Sequence, residues 1–190
     1  SSFNSSFSLA FFCFFNLVMI LIYISNNNGV NASYSFNKVS TVWAYRDITF
    51  GDDAAEFNLS FKWLAMGENY HDYLSVYIGD PMNVVATDWF DPSSVTGLQL
   101  LASDLNLHNT WQHYTAPISN SFAGQTKRIY FMWQNDNSDG VNPGAVIDSI
   151  RITEATCASP NTITVSNITD VSALLAFTPA AGTSNWQYVI

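Results

Sequence analysis

Residues 127–153, KRIYFMWQNDNSDGVNPGAVIDSIRIT, decide the fold. Ile129, Phe131 and Trp133 fall on one side of an extended chain and Tyr130, Met132 and Gln134 on the other, which is the period-2 alternation of a strand. A second run repeats the device. Val146, Asp148, Ile150 and Ile152 share one face and Ala145, Ile147, Ser149 and Arg151 the other, so Asp148 is expected among apolar neighbours. The connection, residues 135–144, is NDNSDGVNPG, almost wholly turn-forming. The two runs read as strands of one sheet held apart by a long polar loop at its rim.

Working outward, the upstream chain supplies partners for these strands. Phe57, Leu59, Phe61 and Trp63 alternate with Asn58, Ser60 and Lys62; Leu74, Val76 and Ile78 alternate with Tyr73, Ser75 and Tyr77. These two strands are expected to be antiparallel neighbours. Residues 42–50, 98–107 and 110–118 read as further strands, and Asn28-Gly29 as a turn. Residues 79–98 contain two Asp-Pro pairs and form a long loop. Strands at this spacing predict an all-β fold, an antiparallel jelly-roll sandwich of two packed sheets.

The ends differ from the middle. Residues 7–24, FSLAFFCFFNLVMILIYI, are long and apolar enough to cross a bilayer, yet no Lys or Arg precedes Lys38 and no Ala-x-Ala follows. A signal or anchor helix, a buried first strand and a boundary that displaces the true beginning all fit the run. Residues 1–21 are carried forward as an apolar, helical segment that adds little to the core. The sandwich then occupies residues 22–154, a linker residues 155–160, and the opening of a second domain residues 161–190, with strand-like runs at 163–168, 172–177 and 185–190.

Composition excludes several functions. The formal charge is −9, and the cations Lys38, Arg46, Lys62, Lys127, Arg128 and Arg151 make no basic stripe, so nucleic acid is not a partner. Cys13 and Cys157 lie far apart and suggest neither a disulfide framework nor a zinc site.

The words AYRDITF, FNLSFKWLAMGENYHDYLSVYI, TWQHYTAPI, KRIYFMWQND and AVIDSIRI, within residues 22–153, resemble the cleaved-adhesin or choice-of-anchor J domains of Bacteroidetes surface proteins, which are similar in fold to MAM-type jelly rolls. The usual Trp-bearing first strands are absent, their place taken by the apolar run. The tail resembles the start of a fibronectin type III domain, with Pro160 before the first strand, Leu175 and Phe177 on the second and Trp186 on the third; Phe177 stands where that family usually has Trp. The resemblance implies a non-catalytic, secreted or cell-surface module that binds a glycan or an extracellular protein in adhesion. Membrane contact would come only through the N-terminal segment. The alternatives are a structural spacer that positions a catalytic domain and a fragment of a carbohydrate-active enzyme.

The residues offer few catalytic groupings. His71-Asp72 beside Glu68 and Tyr70 could be a base with its orienting acid, or metal ligands, but adjacent residues of an extended loop point apart and no G-x-S-x-G elbow accompanies them. His108 and His113 lack zinc-site spacing. Asp88 and Asp91 flank Trp89 and Phe90 as a carboxylate pair of the glycosidase kind. No catalytic residue is assigned.

Calcium has more support, because Asp47, Asp52, Asp53, Asn135, Asp136, Asn137, Asp139 and Asp148 are hard oxygen donors. Asp136, Asp139 and Asp148 are the expected ligands; the competing reading is a loop that satisfies its own backbone through Asx turns. The motif lacks the glutamate and flanking helices of an EF-hand. Tyr70, Tyr73, Tyr77, Trp89, Phe90 and Tyr114 are candidate stacking surfaces, and Tyr70, Tyr73, Trp89 and Phe90 the expected ligand contacts. Sequons at Asn31, Asn58 and Asn167 matter only in a eukaryotic secretory pathway.

Overall fold

The computed structural model describes residues 6–14, 17–84, 87–155, 160 and 162–179, with side chains from residue 21 onward. The strands in chain order are β1 (Ser6–Phe14), β2 (Leu17–Ser25), β3 (Ser40–Thr49), β4 (Glu56–Ala65), β5 (Tyr73–Gly79), β6 (Gln99–Leu105), β7 (His108–Ile118), β8 (Thr126–Asn135), β9 (Val146–Ala155), β10 (Thr162–Ser166) and β11 (Leu174–Thr178). A five-stranded sheet runs β1-β2-β9-β4-β7 and a four-stranded sheet β3-β8-β5-β6, all pairs antiparallel. The chain is an all-β sandwich.

The alternation read from the sequence does the packing. Phe57, Leu59, Phe61 and Trp63 of β4 are buried, as are Leu74, Val76 and Ile78 of β5 and Ile129, Phe131 and Trp133 of β8. Phe61 meets Phe131 edge-on across the sandwich with ring centroids 5.4 Å apart. Each such side chain contributes about 1.5–3 kcal/mol by leaving water, so this inner layer is the main stabilising element. At the turn before β3, Asn28 and Gly29 both take positive φ, as the Asn-Gly pair predicts.

Three expectations are corrected. First, β8 and β9 are not strands of one sheet, and β4 and β5 are not neighbours. In both cases the connecting loop crosses the rim from one sheet to the other, because the apolar faces of these strands must meet across the core and not beside each other. The two crossing loops bond together: Met66 N–H donates to Pro143 O at 2.8 Å and Gly67 N–H to Val141 O at 2.9 Å.

Second, β9 changes face partway. Its register against β4 slips between the Ser60–Arg151 and Lys62–Asp148 pairs, and Ser149 has φ 54°. Before this bulge Ala145 and Ile147 enter the core; beyond it Ile152 packs there, while Ile150 is exposed. Asp148 therefore points outward on β9 instead of lying among core side chains.

Third, the apolar N-terminal run is a β1–β2 hairpin, not a helix. β2 continues past residue 21 and pairs with β9 at Ile22–Ile147 and Tyr23–Val146. Ile24 is fully buried and its N–H donates to Ala145 O at 2.9 Å. Aromatic and β-branched residues suit a pleated strand, and the hairpin pairs with the start of what would otherwise be an unpaired edge of β9. Among the described residues no helix is long and apolar enough to cross a membrane.

The four-stranded sheet carries a second apolar layer on its outward side. Tyr77, Tyr130 and Met132 are buried there under Met82, Val84, Phe90 and Leu98 of the loop joining β5 to β6, with Trp43 of β3 alongside. This loop is a strap: it reaches β3, where Thr41 and Thr87 exchange backbone hydrogen bonds, and returns to β6. Tyr130 holds its root, donating to Asp80 O at 2.7 Å and accepting from Met82 N–H at 2.9 Å.

Strands β10 and β11 form a separate two-stranded ribbon whose side chains are exposed, Ile163, Val165, Leu174 and Phe177 among them. The run at 185–190 and Cys157 lie outside the described residues.

Candidate functional site at the sandwich rim

The two crossing loops bring acids together. In the first, Gly67 stands at φ +69°, where a Cβ would also collide with the Asp72 carbonyl, so only glycine fits, and the chain then makes a tight turn in which Asp72 N–H donates to Glu68 O at 3.0 Å. Asn106, from the β6–β7 turn, clamps that turn by donating its side-chain amide to Glu68 O at 2.7 Å and Asp72 O at 2.9 Å. In the second loop, Asp136 N–H donates to Asp72 Oδ1 at 3.1 Å. Tyr34 donates its hydroxyl to Asp72 Oδ2 at 2.6 Å. Gly140, at φ +119°, passes where a Cβ would strike both Tyr34 Oη and Asp72 Oδ2.

The outcome is a triad in which one carboxylate oxygen each of Glu68, Asp72 and Asp136 lie within 4.8 Å of one another. Asp72 is fully buried, and its pKa rises from 3.8 to about 6, chiefly through burial and further through the charges of Asp136 and Glu68; the bonds from Tyr34 and the Asp136 N–H oppose the shift. Burial first, then the bond to Asp72, pushes the Tyr34 phenol far up, so it remains a donor. Glu68 Oε2 is buried with no hydrogen-bond partner among the described residues. His71 Nδ1 lies 3.3 Å from Asp136 Oδ2.

An orphaned carboxylate oxygen beside two further carboxylates fits a hard divalent cation, since calcium takes oxygen donors from just such loops. Of the expected ligands only Asp136 belongs to this group. Asp139 is exposed in the loop, and Asp148 stands on the outward face of β9, accepting the Ser149 N–H at 2.6 Å. Glu68 and Asp72 are the acids that stand with it. The sequence signal was the Gly67-Glu68 turn with Asp72 four residues on, but its meeting with Asp136 depends on both loops crossing one rim.

The aromatic candidates separate in the same way. Tyr70, 77% exposed, stands in the Glu68–Asp72 turn beside the acids, while Trp89, 53% exposed, stands on the strap. Phe90 is engaged edge-on with Trp43 at 4.7 Å, and Tyr73 is half-buried on the outward side of β5. Tyr77 is buried, and Tyr114 packs on Phe61 and donates to Leu101 O at 3.1 Å. Asp91 caps the short turn Pro92–Ser94 by accepting from Ser93 N–H at 2.9 Å, and Asp88 is exposed. His108 meets the Trp63 ring and Asn106 O, and His113 is exposed on β7.

No protein-family model matches the chain. No curated protein matches it either. Among solved structures, the CBM22-1 xylan-binding domain of Paenibacillus barcinonensis Xyn10C is similar at 8% identity and TM-score 0.40, over 80% of this chain and 83% of that one. A CBM4 structure is similar at 14% identity and TM-score 0.35, over 78% and 77%. The K3 cleaved adhesin domain of Lys-gingipain from Porphyromonas gingivalis is similar at 14% identity and TM-score 0.34, over 72% and 73%. Overlaps of this depth assign neither a family nor a ligand.

Proposed function

We propose that the chain is a non-catalytic, secreted or cell-surface binding module for a glycan or an extracellular protein, with calcium fixing the two crossing loops that present Tyr70. The observation that carries this reading is the Glu68–Asp72–Asp136 triad with its buried, unpartnered Glu68 Oε2. Three carboxylates at this spacing repel one another without a cation; with one, the repulsion becomes attraction and the rim becomes rigid. A rigid rim presents an aromatic side chain at low entropic cost. Sites built from a few carboxylates on surface loops suit the high calcium of extracellular fluids.

The test has two stages. Calorimetry in calcium against magnesium at equal ionic strength reads the ion, and a panel of glycans and matrix proteins, probed with and without chelator, reads the ligand. The expected result is a calcium-specific rise in melting temperature together with retention of at least one probe, weakened by Tyr70→Ala. No calcium-specific shift removes the ion from the reading, and retention of no probe removes the binding function.

A further inference from the structure

We propose that the outward face of β9, β4 and β7 is a second recognition surface, and that its ligand is a carboxylate-bearing polysaccharide, a polyuronate. This extends the binding-module reading by naming a ligand class, at a surface separate from the rim.

The strap covers the outward side of the four-stranded sheet, whereas on the outward side of the five-stranded sheet no described segment packs over Asn58, Ser60, Lys62, Arg151, Thr153, His113 and Thr115, which are exposed or half-exposed. Register and alternation define its rows: Thr153, Asn58 and Pro117; Arg151, Ser60 and Thr115; Asp148, Lys62 and His113. Beyond them Leu64 is half-buried and Val146 buried, so the open face ends there, while alternation along β7 puts Trp111, 46% exposed, with His113 and Thr115. Three rows on three strands measure about 14 Å by 10 Å, room for two or three sugar rings.

The charge on this face is unusual for the molecule. Only six cations occur in a chain of net charge −9. Lys127 and Arg128 are tied to Asp80 and Asp47. Lys62 and Arg151 are exposed, and neither forms an ion pair among the described residues. They occupy diagonal positions on adjacent strands, where two long side chains can converge on one anion. Arg151 offers the planar fork that matches a carboxylate, and Lys62 adds a second charge. His113 stands across from Lys62 on the other side.

Two acids share the face. Glu56, engaged in contacts of its own, ends it beyond Asn58. Asp148 accepts from Ser149 N–H through one oxygen, which leaves the other to receive a sugar hydroxyl. Asn58, Ser60, Thr115 and Thr153 supply further short polar groups, and Trp111 supplies a stacking ring. A protein partner fits less well, since the centre of a protein interface is depleted of Lys, Asp and Ser and here Lys62, Asp148 and Ser60 occupy the middle.

Titration of the intact chain with a short, non-gelling oligogalacturonate, at fixed calcium and low salt, tests the proposal. The expected result is binding that weakens steeply with salt, falls at least tenfold in the Lys62→Gln/Arg151→Gln double variant and in Trp111→Ala, and persists in Asp136→Asn. Melting curves of the variants matching the parent certify that the fold is kept. Absence of binding, equal binding of neutral xylan, or equal binding of poly-glutamate overturns the polyuronate assignment. Binding lost in Asp136→Asn but kept in the double variant moves the ligand to the rim, which overturns the second surface and leaves the binding-module reading standing.

Discussion

Tyr34 donates its hydroxyl hydrogen to Asp72 Oδ2 at 2.6 Å, joining the segment before β3 to the start of β5 through a bond buried at both ends. Removing the donor strands a buried carboxylate oxygen. Tyr34→Phe should therefore cost about 1–3 kcal/mol in calcium-free protein, measured by urea denaturation. An unchanged midpoint would mean that solvent reaches Asp72 and that the buried bond is not the clamp described.

The same carboxyl sets a pH dependence whose sign is unusual for an acid. Because the pKa of folded Asp72 is raised from 3.8 to about 6, the folded chain keeps a proton that the unfolded chain releases. The calcium-free protein should thus have this contribution in full below about pH 4 and lose it as pH rises through 6. Asp47 and Asp91, lowered by their bonds to Arg128 and Ser93, act below this window. Calcium should reverse the slope, since it favours the ionised triad. Melting temperatures across pH 4–7 in chelator and in calcium check both limbs, and Asp72→Asn should flatten them; a calcium-free protein that gains stability over that window refutes the assignment.

Calcium at a hundred times its dissociation constant should add about 2.7 kcal/mol. Asp136→Asn and Glu68→Gln should remove most of that gain, whereas Asp139→Asn and Asp148→Asn should keep it, because neither belongs to the triad. The converse pattern would return the site to the expectation drawn from the loop alone.

The strap depends on Phe90 against Trp43. Phe90→Ala removes a half-buried ring from an aromatic pair and should cost about 1–2 kcal/mol, less than a fully buried Phe. Red-shifted tryptophan emission should accompany it as Trp43 becomes wetter. If emission and stability both stay put, the strap is held by its polar root and not by this ring.

The β9 bulge and the β1–β2 hairpin make a paired prediction. Ile24→Ala, at a fully buried position, should cost about 2–5 kcal/mol, while Ile150→Ala, on the exposed side of the bulge, should cost less than about 1 kcal/mol. Equal effects would mean that the face assignment on β9 is wrong.

The inner layer was legible because burial on one face writes itself into alternating residues, as in Phe57, Leu59, Phe61 and Trp63. Where both faces are covered the signal weakens: Tyr130 and Met132 alternate with the core residues of β8 and are buried as well, under the strap. A single extra residue at the bulge inverted the reading of Val146, Ile147 and Asp148, since a period of two carries no memory past an insertion. The triad was half legible. Glu68 and Asp72 are local to one turn, but their meeting with Asp136 required knowing that β8 and β9 belong to opposite sheets, which no local pattern encodes. The strand character of the N-terminal run was one of three open readings, because unbroken apolar sequence has no period to distinguish helix from strand.

β1 and β9 both run antiparallel to β2, so they point the same way, and the start of β1 and the end of β9 lie at opposite ends of the five-stranded sheet. Tension applied between residues 6 and 155 would therefore drag these strands lengthwise past their neighbours, loading the backbone bonds of each ladder together, as a lap joint is loaded, instead of peeling them one by one. Resistance to rupture under such a pull is set by the unfolding rate and not by equilibrium stability.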